Sequence, residues 1–349
     1  MGELEEILKQ LAKRIKVIGC GGAGSNTINR LFEMGVPEGV ELIAINTDAR
    51  HLATVKAHKK ILIGKETCRG LGAGKDPKKG EEAARESENE LKQVVQDADL
   101  VFITCGLGGG TGTGSAPVVA ELAKKAGALT VAVCTIPFSI EGKKIWDNAR
   151  YGLEKLEDLV DLFVVIPNDK LLELVPSLPL NQAFKVADEV LASAIKEMVE
   201  LVTKPGLVNV DFADVRTIVS QAGYGMIGVG ESDSENRAEE AVERALNNPL
   251  LDLDISGAGA ALVRITGGEN LKMEELGRIL EKVKEKLAPD ANIIWGAAID
   301  PEMGNTIRVF IIVTRLRKIP PIVRKVKGEE KLTPEKKKEL EEELGIEII

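Results

Sequence analysis

The sequence Gly106-Leu-Gly-Gly-Gly-Thr-Gly-Thr-Gly-Ser-Ala-Pro117 decides how the chain is interpreted. It follows the apolar run 99–105, which is typical of a buried strand, and precedes residues 118–127, which have the pattern of a helix closed by glycine. A glycine-rich turn between a strand and a helix exposes backbone N–H groups at the positive end of the helix. Thr111, Thr113 and Ser115 add hydroxyl groups. The stretch therefore predicts a phosphate-binding loop; the alternative is a tight turn without a ligand.

Composition excludes several classes of protein. The 349 residues carry a net charge of −9, which argues against a nucleic-acid partner. The sequence has no run of 18 apolar residues, so no transmembrane helix is predicted. The N-terminus lacks the features of a secretory signal. The four cysteines show no CxxC spacing, and two histidines are too few for a His-based metal centre or triad. We therefore expect a cytoplasmic protein of about two domains, without membrane insertion or a protein-bound metal site.

The first half of the chain alternates strands with helices, which predicts an α/β fold with a parallel sheet wound on both faces. Two further glycine-rich stretches, 19–26 and 69–77, each precede a predicted helix, 27–34 and 79–98. Every glycine-rich or Asn/Asp-rich loop falls at the carboxyl end of a predicted strand, where ligands bind in such sheets. By itself this half is also compatible with a dinucleotide-binding Rossmann unit, although Asp48 comes slightly late to bind a ribose.

A long apolar helix is predicted over 182–203, with Asn181 as its N-cap, and its apolar sides suggest burial between two domains. Asp211 and Asp214 then stand at a helix start, where they either cap the helix or orient a water molecule. The second half predicts a compact α/β layer of about four strands, in which 292–298 and 306–314 are candidates to pair.

The predicted organisation has four parts. Residues 1–180 form a Rossmann-like nucleotide-binding domain, 181–206 the central helix, 207–318 a smaller C-terminal α/β domain, and 319–349 a charged tail with a short helix from Thr333. Pro320-Pro321 is interpreted as a break in the structure. The tail is either solvated or a short motif that docks on a partner.

Five motifs resemble the FtsZ family, the tubulin-like division GTPases of prokaryotes, and archaeal more than bacterial members. They are residues 19–26, 108–115, 137–142, 166–170 and 209–214, within a resemblance that covers about 14–316. The resemblance implies a tubulin/FtsZ-like fold and GTP hydrolysis coupled to head-to-tail filament assembly in the division ring at mid-cell. It also implies that GTP or GDP binds with Mg²⁺ held mainly through the nucleotide, and that the tail contacts a membrane tether or division partner.

The same resemblance assigns site residues. Glu141 would contact the ribose, residues 72–74 would lie near the γ-phosphate, and Asn26, Phe184 and the Asp188/Glu189 pair would frame the guanine. Asn209, Asp211 and Asp214 of the next subunit would polarise the attacking water. The residues implied to bind nucleotide are Gly21, Gly22, Ala23, Gly24, Ser25, Asn26, Ala73, Gly74, Gly108, Gly109, Gly110, Thr111, Gly112, Thr113, Glu141, Ile145, Asn168, Phe184, Asp188 and Glu189.

The chain departs from the family pattern at three places. Ile145 stands where many members have Arg, Ser25 often corresponds to Asn or Gly, and Lys75 adds a cation that either touches a phosphate or faces solvent. Two other functions compete with the GTPase that polymerises: a GTP-binding regulator that never polymerises, and a Rossmann-type NAD-dependent oxidoreductase.

Overall fold

The computed structural model describes residues 13–170, 180–204, 206–248, 255–317 and 319–328. Apolar runs of four to ten residues form strands in these ranges, as β-branched residues favour. The strands are β1 Ile15–Cys20, β2 Val40–Asn46, β3 Lys59–Leu62, β4 Leu100–Gly106, β5 Leu129–Ile136, β6 Leu162–Pro167, β7 Gly223–Ser232, β8 Ala260–Gly267, β9 Asn292–Ile299 and β10 Ile307–Thr314.

These strands form one ten-stranded sheet in the order β3-β2-β1-β4-β5-β6-β7-β10-β8-β9. Strands β1 to β6 are parallel, and β7 joins β6 in parallel through only three residue pairs, Leu162–Val164 with Gly223–Gly225. In the second half β10 pairs antiparallel with β7 and β8, and β9 pairs with β8 in parallel. The expectation that the last two strands pair with each other is wrong, because β8 lies between them.

Helices cover both faces of the sheet. They are α1 Gly21–Met34, α2 Ala49–Thr54, α3 Pro77–Glu86, α4 Glu88–Val95, α5 Thr111–Lys125, α6 Lys143–Glu157, α7 Leu180–Thr203, α8 Phe212–Val219, α9 Arg237–Leu246, α10 Met273–Lys286 and α11 Pro321–Lys327. Helices α1, α2, α7 and α8 bury apolar side chains on one face of the nucleotide half, and α3 to α6 and α11 do so on the other. The predicted doubly wound α/β architecture is confirmed.

Several boundaries differ from the sequence-based expectations. Helices α1 and α5 begin inside the glycine-rich stretches, at Gly21 and Thr111, so most of the residues expected in turns are helical. The helix expected over 79–98 is divided at Ser87, whose hydroxyl accepts a hydrogen bond from Gly64 N. The central helix α7 begins at Leu180, so Asn181 is its second residue and not its cap.

A buried ion cluster joins α7 to the C-terminal strands. Arg264, which is 6% exposed, lies 3.0 Å from Glu200 and 3.3 Å from Glu197. Arg308 pairs with Glu197 at 3.3 Å, and Lys204 pairs with Glu200 at 2.9 Å. Burial raises the pKa of Glu197, and the two arginines oppose that rise. Buried ion pairs as well as apolar packing therefore hold the central helix against the second half of the chain.

The structural break predicted at Pro320-Pro321 is not found, since residues 321–327 form α11. Pro321 occupies the first position of α11, where proline is favoured, and the helix packs on the nucleotide half. Ile322, Val323 and Val326 are buried in its core. The Val326 carbonyl accepts a hydrogen bond of 2.7 Å from Arg150 of α6. The helix expected from Thr333 lies outside the described residues. Within the described ranges, no helix combines the length and the apolarity needed to cross a membrane.

Candidate functional site

A cavity of about 340 Å³ opens at the carboxyl ends of β1, β4 and β5. Nine of the residues predicted from the sequence line it, namely Gly22, Ala23, Gly109, Gly110, Thr111, Gly112, Glu141, Asn168 and Asp188. Five further lining residues were not named as nucleotide-binding residues: Cys20, Gly106, Leu107, Thr135 and Pro137. All of these except Thr135 lie in stretches that the sequence had already singled out, namely 19–26, 106–117 and 137–142.

Two helix N-termini converge on this cavity because glycines let their backbones touch. Gly21 has φ +73°, and a Cβ built on it would lie 2.5 Å from Gly112 N. A Cβ on Gly112 would lie 2.8 Å from Cys20 O. By contrast, a Cβ on Gly22 or Gly109 would meet nothing within 4 Å. The starts of α1 and α5 therefore direct N–H groups and positive dipole ends toward open space, which suits a polyphosphate.

Not every predicted side chain faces the ligand. The Thr113 hydroxyl is fully buried and accepts a hydrogen bond from Gly108 N at 2.9 Å, and the Ser115 hydroxyl donates to Thr111 O at 2.7 Å. The expectation that these hydroxyls donate to a phosphate is wrong, because both stabilise the loop instead. The side chain of Ser25 is also fully buried, and Gly24 packs against the carbonyl of Thr104. Of the three residues Thr111, Thr113 and Ser115, Thr111 lines the cavity, and its hydroxyl lies 2.6 Å from that of Thr47.

The third glycine-rich loop packs against the second. A Cβ on Gly110 would lie 3.0 Å from the Cβ of buried Ala73. Asn148 ties the two loops together, since its Nδ2 donates to Lys75 O at 2.9 Å and to Gly108 O at 3.0 Å. Asn148 was missed because nothing in the sequence near α6 marks it. Gly74 is exposed, with φ +63°.

Ile145 packs closely against Gly108. A Cβ on Gly108, whose φ is +108°, would lie 2.8 Å from Ile145 Cγ2. Ile145 thus contacts the loop backbone with an apolar side chain. In the segment before Ile145, Glu141 accepts a hydrogen bond of 3.0 Å from Phe138 N. This bond stabilises the exposed turn between Phe138 and Glu141.

A second cavity of about 410 Å³ adjoins the first at Asp188. Asn26 and Glu189, both predicted from the sequence, line it, and Arg30 pairs with Glu189 at 2.6 Å. Burial raises the pKa of Asp188 to about 6, opposed by a hydrogen bond from Asn26. Phe184 lies in α7, but its side chain is outside the described residues. The second cavity thus offers the Asn26 amide and the Asp188 carboxylate to a flat heterocycle whose phosphates lie in the first cavity.

The cysteines at the site are structural. Burial raises the pKa of Cys20 to about 12, so its thiol is not a nucleophile. All four cysteines are buried and free of disulfide bonds.

Asn209, Asp211 and Asp214 are not brought to the cavity. Asp211 caps α8 by accepting from Asp214 N at 2.8 Å, which confirms the predicted cap, and Asn209 Oδ1 accepts from Gly206 N at 2.7 Å. This loop follows the end of α7 at Thr203, which is 15 residues after Asp188, or about 22 Å at 1.5 Å per residue. One copy of the chain therefore carries the cavity and these polar residues at separate places.

Comparison with known proteins gives a consistent picture. Residues 14–176 match the tubulin/FtsZ family GTPase domain, and residues 223–317 match the C-terminal domain of the FtsZ family. The chain is 58% identical to cell division protein FtsZ 1 of Thermococcus kodakarensis over 312 residues, which are 89% of this chain and 83% of the relative. It is 60% identical to cell division protein FtsZ 1 of Methanocaldococcus jannaschii over 312 residues, covering 89% and 85%. The solved empty FtsZ dimer of M. jannaschii superposes with a TM-score of 0.85 at 59% identity, covering 90% of this chain and 91% of that one.

Proposed function

This chain belongs to the FtsZ family of tubulin-like GTPases, and from that premise we propose that its two adjoining cavities bind GTP and that a second copy completes the hydrolytic site. The glycine-lined cavity takes the phosphates, and the cavity between Asn26 and Asp188 takes the guanine. Glu141 and Asn168 also line the glycine-lined cavity, and we propose that they contact the ribose.

The oxidoreductase alternative has no support in this site. An NAD-binding unit uses an acidic side chain after the second strand to bind the ribose hydroxyls. Asp48 is the residue nearest that position, and its carboxylate caps α2 by accepting from Arg50 N at 2.9 Å and His51 N at 3.1 Å. Both bonds are accepted by Oδ1, so this carboxylate serves as the cap of α2.

The observation that carries the shared-site proposal is the separation of the cavity from the polar loop of residues 206–214. Because the two are about 22 Å apart along α7, carboxylates from one copy reach a bound γ-phosphate only if copies stack head to tail. Exposed apolar side chains at the two places support such stacking. Leu71 and Ile140, beside the nucleotide loops, are 79% and 90% exposed, and Leu207, beside the polar loop, is 68% exposed.

In the proposed mechanism, N–H groups at the starts of α1 and α5 stabilise negative charge on the phosphates. The exposed Asp214 of the neighbouring copy accepts a hydrogen bond from the attacking water, while Asp211 and Asn209 hold the loop and the start of α8 in shape. In the described part of the chain, no three His, Cys, Asp or Glu side chains cluster as metal ligands. Mg²⁺ would therefore be held mainly by phosphate oxygens, and it would neutralise charge on the leaving diphosphate.

The test is an Asp214→Asn variant beside Asp158→Asn, which removes the same charge from an exposed position after α6. We expect Asp214→Asn to bind GTP normally and to lose at least about a hundredfold in turnover, while the control keeps both. The decisive arm mixes Asp214→Asn with Gly109→Trp, a bulky substitution at a cavity-lining position where a Cβ meets nothing within 4 Å. Each is inactive alone, and the mixture regains turnover if the site is shared. An Asp214→Asn protein that hydrolyses GTP at the normal rate, or a mixture that stays inactive, contradicts the proposal.

We further propose that residues 1–180, 181–206 and 207–318 act as nucleotide domain, central helix and activation domain. The residues beyond Gly328 are proposed to dock on a tethering or division partner, with the filament acting in the cytoplasm at mid-cell. Sedimentation of filaments with a cell-membrane fraction, with and without residues 329–349, tests the assignment to the tail.

A further inference from the structure

A chain of hydrogen bonds runs from the end of β2 to the cavity proposed for guanine. His51 Nδ1 lies 3.0 Å from Asn46 Nδ2, and His51 Nε2 lies 3.0 Å from Asn26 Oδ1. Asn26 lines the second cavity with Asp188, and its amide lowers the pKa of that carboxyl. His51 is 25 residues from Asn26 in sequence, and neither it nor Asn46 lines the cavity.

The direction of each bond in this chain is fixed by the one before it. Asn46 Oδ1 accepts from the backbone N–H groups of Thr47 at 2.9 Å and Asp48 at 3.2 Å, so the Asn46 amide cannot be reversed without losing both. Its Nδ2 is then a donor, and His51 Nδ1 must accept. The proton of the neutral imidazole is therefore on Nε2, from which it is donated to Asn26 Oδ1.

These bonds fix the orientation of the Asn26 amide. Because its Oδ1 is held by His51, its Nδ2 faces Asp188, and one N–H of that group remains for a ligand. A donor beside a carboxylate complements guanine, which presents the O6 acceptor beside N–H donors. It opposes adenine, which places an amino donor where guanine has O6. With the Asn26 amide reversed, its oxygen would accept from the adenine amino group.

We propose that His51 and Asn46 are positioning residues that hold the Asn26 amide in the orientation that selects guanine over adenine. This rests on the proposed function, since it assigns the base to the cavity lined by Asn26 and Asp188. Neither positioning residue touches the nucleotide. Their effect is on base selectivity and is the same for GDP and GTP, because the base is common to both.

The chain offers a matched control, since it has only two histidines. His58 also accepts through Nδ1, from Leu42 N at 2.9 Å, and its ring packs on Phe32; it lines neither cavity. His51→Phe and His58→Phe keep a ring and remove the hydrogen bonds. Calorimetric titration of each full-length variant with GTP, GDP and ATP gives the selectivity ratio.

We expect His51→Phe to bind GTP and GDP about three- to tenfold more weakly, with ATP affinity unchanged, so that selectivity falls by the same factor. His58→Phe keeps the wild-type ratio within about twofold. If His51→Phe keeps the wild-type ratio as well, the inference is wrong while the proposed function stands. If the wild-type protein itself fails to prefer GTP over ATP, the proposed function is wrong.

A second measurement does not depend on any variant folding. In wild-type protein with ¹⁵N-labelled histidine, His51 should be a neutral imidazole with its proton on Nε2, and its Nε2 resonance should shift when GDP binds. The His58 resonances should not shift. A proton on His51 Nδ1, or a His51 signal indifferent to GDP, overturns the proposal.

Discussion

Arg264→Met tests whether the buried ion cluster between α7 and β8 depends on its central cation. Methionine keeps most of the side-chain volume and removes the charge, which leaves the buried carboxylates of Glu197 and Glu200 in excess. Removing one partner of a buried ion pair costs about 3–5 kcal/mol. We expect the lower end, about 3 kcal/mol, because Glu197 keeps Arg308 and Glu200 keeps Lys204.

The pH dependence identifies the cause. Burial already raises the pKa of Glu197, and Arg264 opposes that rise, so the variant raises this pKa further. A carboxyl whose folded-state pKa is raised destabilises the fold when ionised, and the penalty disappears as the pH falls through that pKa. The deficit of Arg264→Met should therefore be largest near neutral pH and should shrink toward about pH 5.

Urea unfolding followed by circular dichroism at both pH values measures the deficit. Arg278→Met is the matched control, since Arg278 also lies between two glutamates, Glu239 and Glu274, but on the surface. It should leave the urea midpoint unchanged. Adding Glu197→Gln to Arg264→Met should recover most of the loss. A deficit that is equal at both pH values, or no recovery in the double variant, would refute the electrostatic explanation.

Three further outcomes follow from the site and from α11. Because the pKa of Asp188 is about 6, GTP affinity should fall about tenfold between about pH 7.5 and about pH 5; calorimetry on a His51→Gln variant should show the same fall if the carboxyl, and not the imidazole, is responsible. Gly112→Ala should weaken GTP binding at least about tenfold, because its Cβ would lie 2.8 Å from Cys20 O and force the two helix starts apart; unchanged affinity would contradict the close-contact argument. A chain ending at Gly328 should unfold at the wild-type temperature, whereas one ending at Arg317 should unfold several degrees lower, because it loses the buried side chains of α11; equal midpoints in a thermal scan would show that α11 adds no stability.

The sequence was sufficient for the alternation of strands and helices because buried parallel strands are continuous apolar runs. It was not sufficient for helix starts inside glycine-rich segments. Gly112 and Pro117 are poor helix formers, yet α5 begins at Thr111. The reason is tertiary: Gly112 and Gly114 lie where a Cβ would meet the backbone of Cys20 and Pro77. Neighbours that are distant in sequence decide these positions.

The same limit explains what was missed at the site. Glycine-rich loops at strand ends carry a local signal, and the residues around them were predicted. Asn148 and His51 carry none, because each acts through a hydrogen bond to a residue at least 25 positions away. The pairing of β9 was also mispredicted, since neighbouring segments more often pair than not and here β8 intervenes.

The return of α11 to the nucleotide half has a mechanical meaning. The chain leaves β10 in the C-terminal half, yet it is anchored on α6 by the Arg150 hydrogen bond and by Lys327, which pairs with Glu157 at 2.6 Å. Any tension applied beyond Gly328 therefore acts first on α6, whose first residues lie beside the nucleotide loops. Force on the tail therefore acts directly on the GTP-binding half of each subunit. It is not transmitted through the three residue pairs that join β6 to β7.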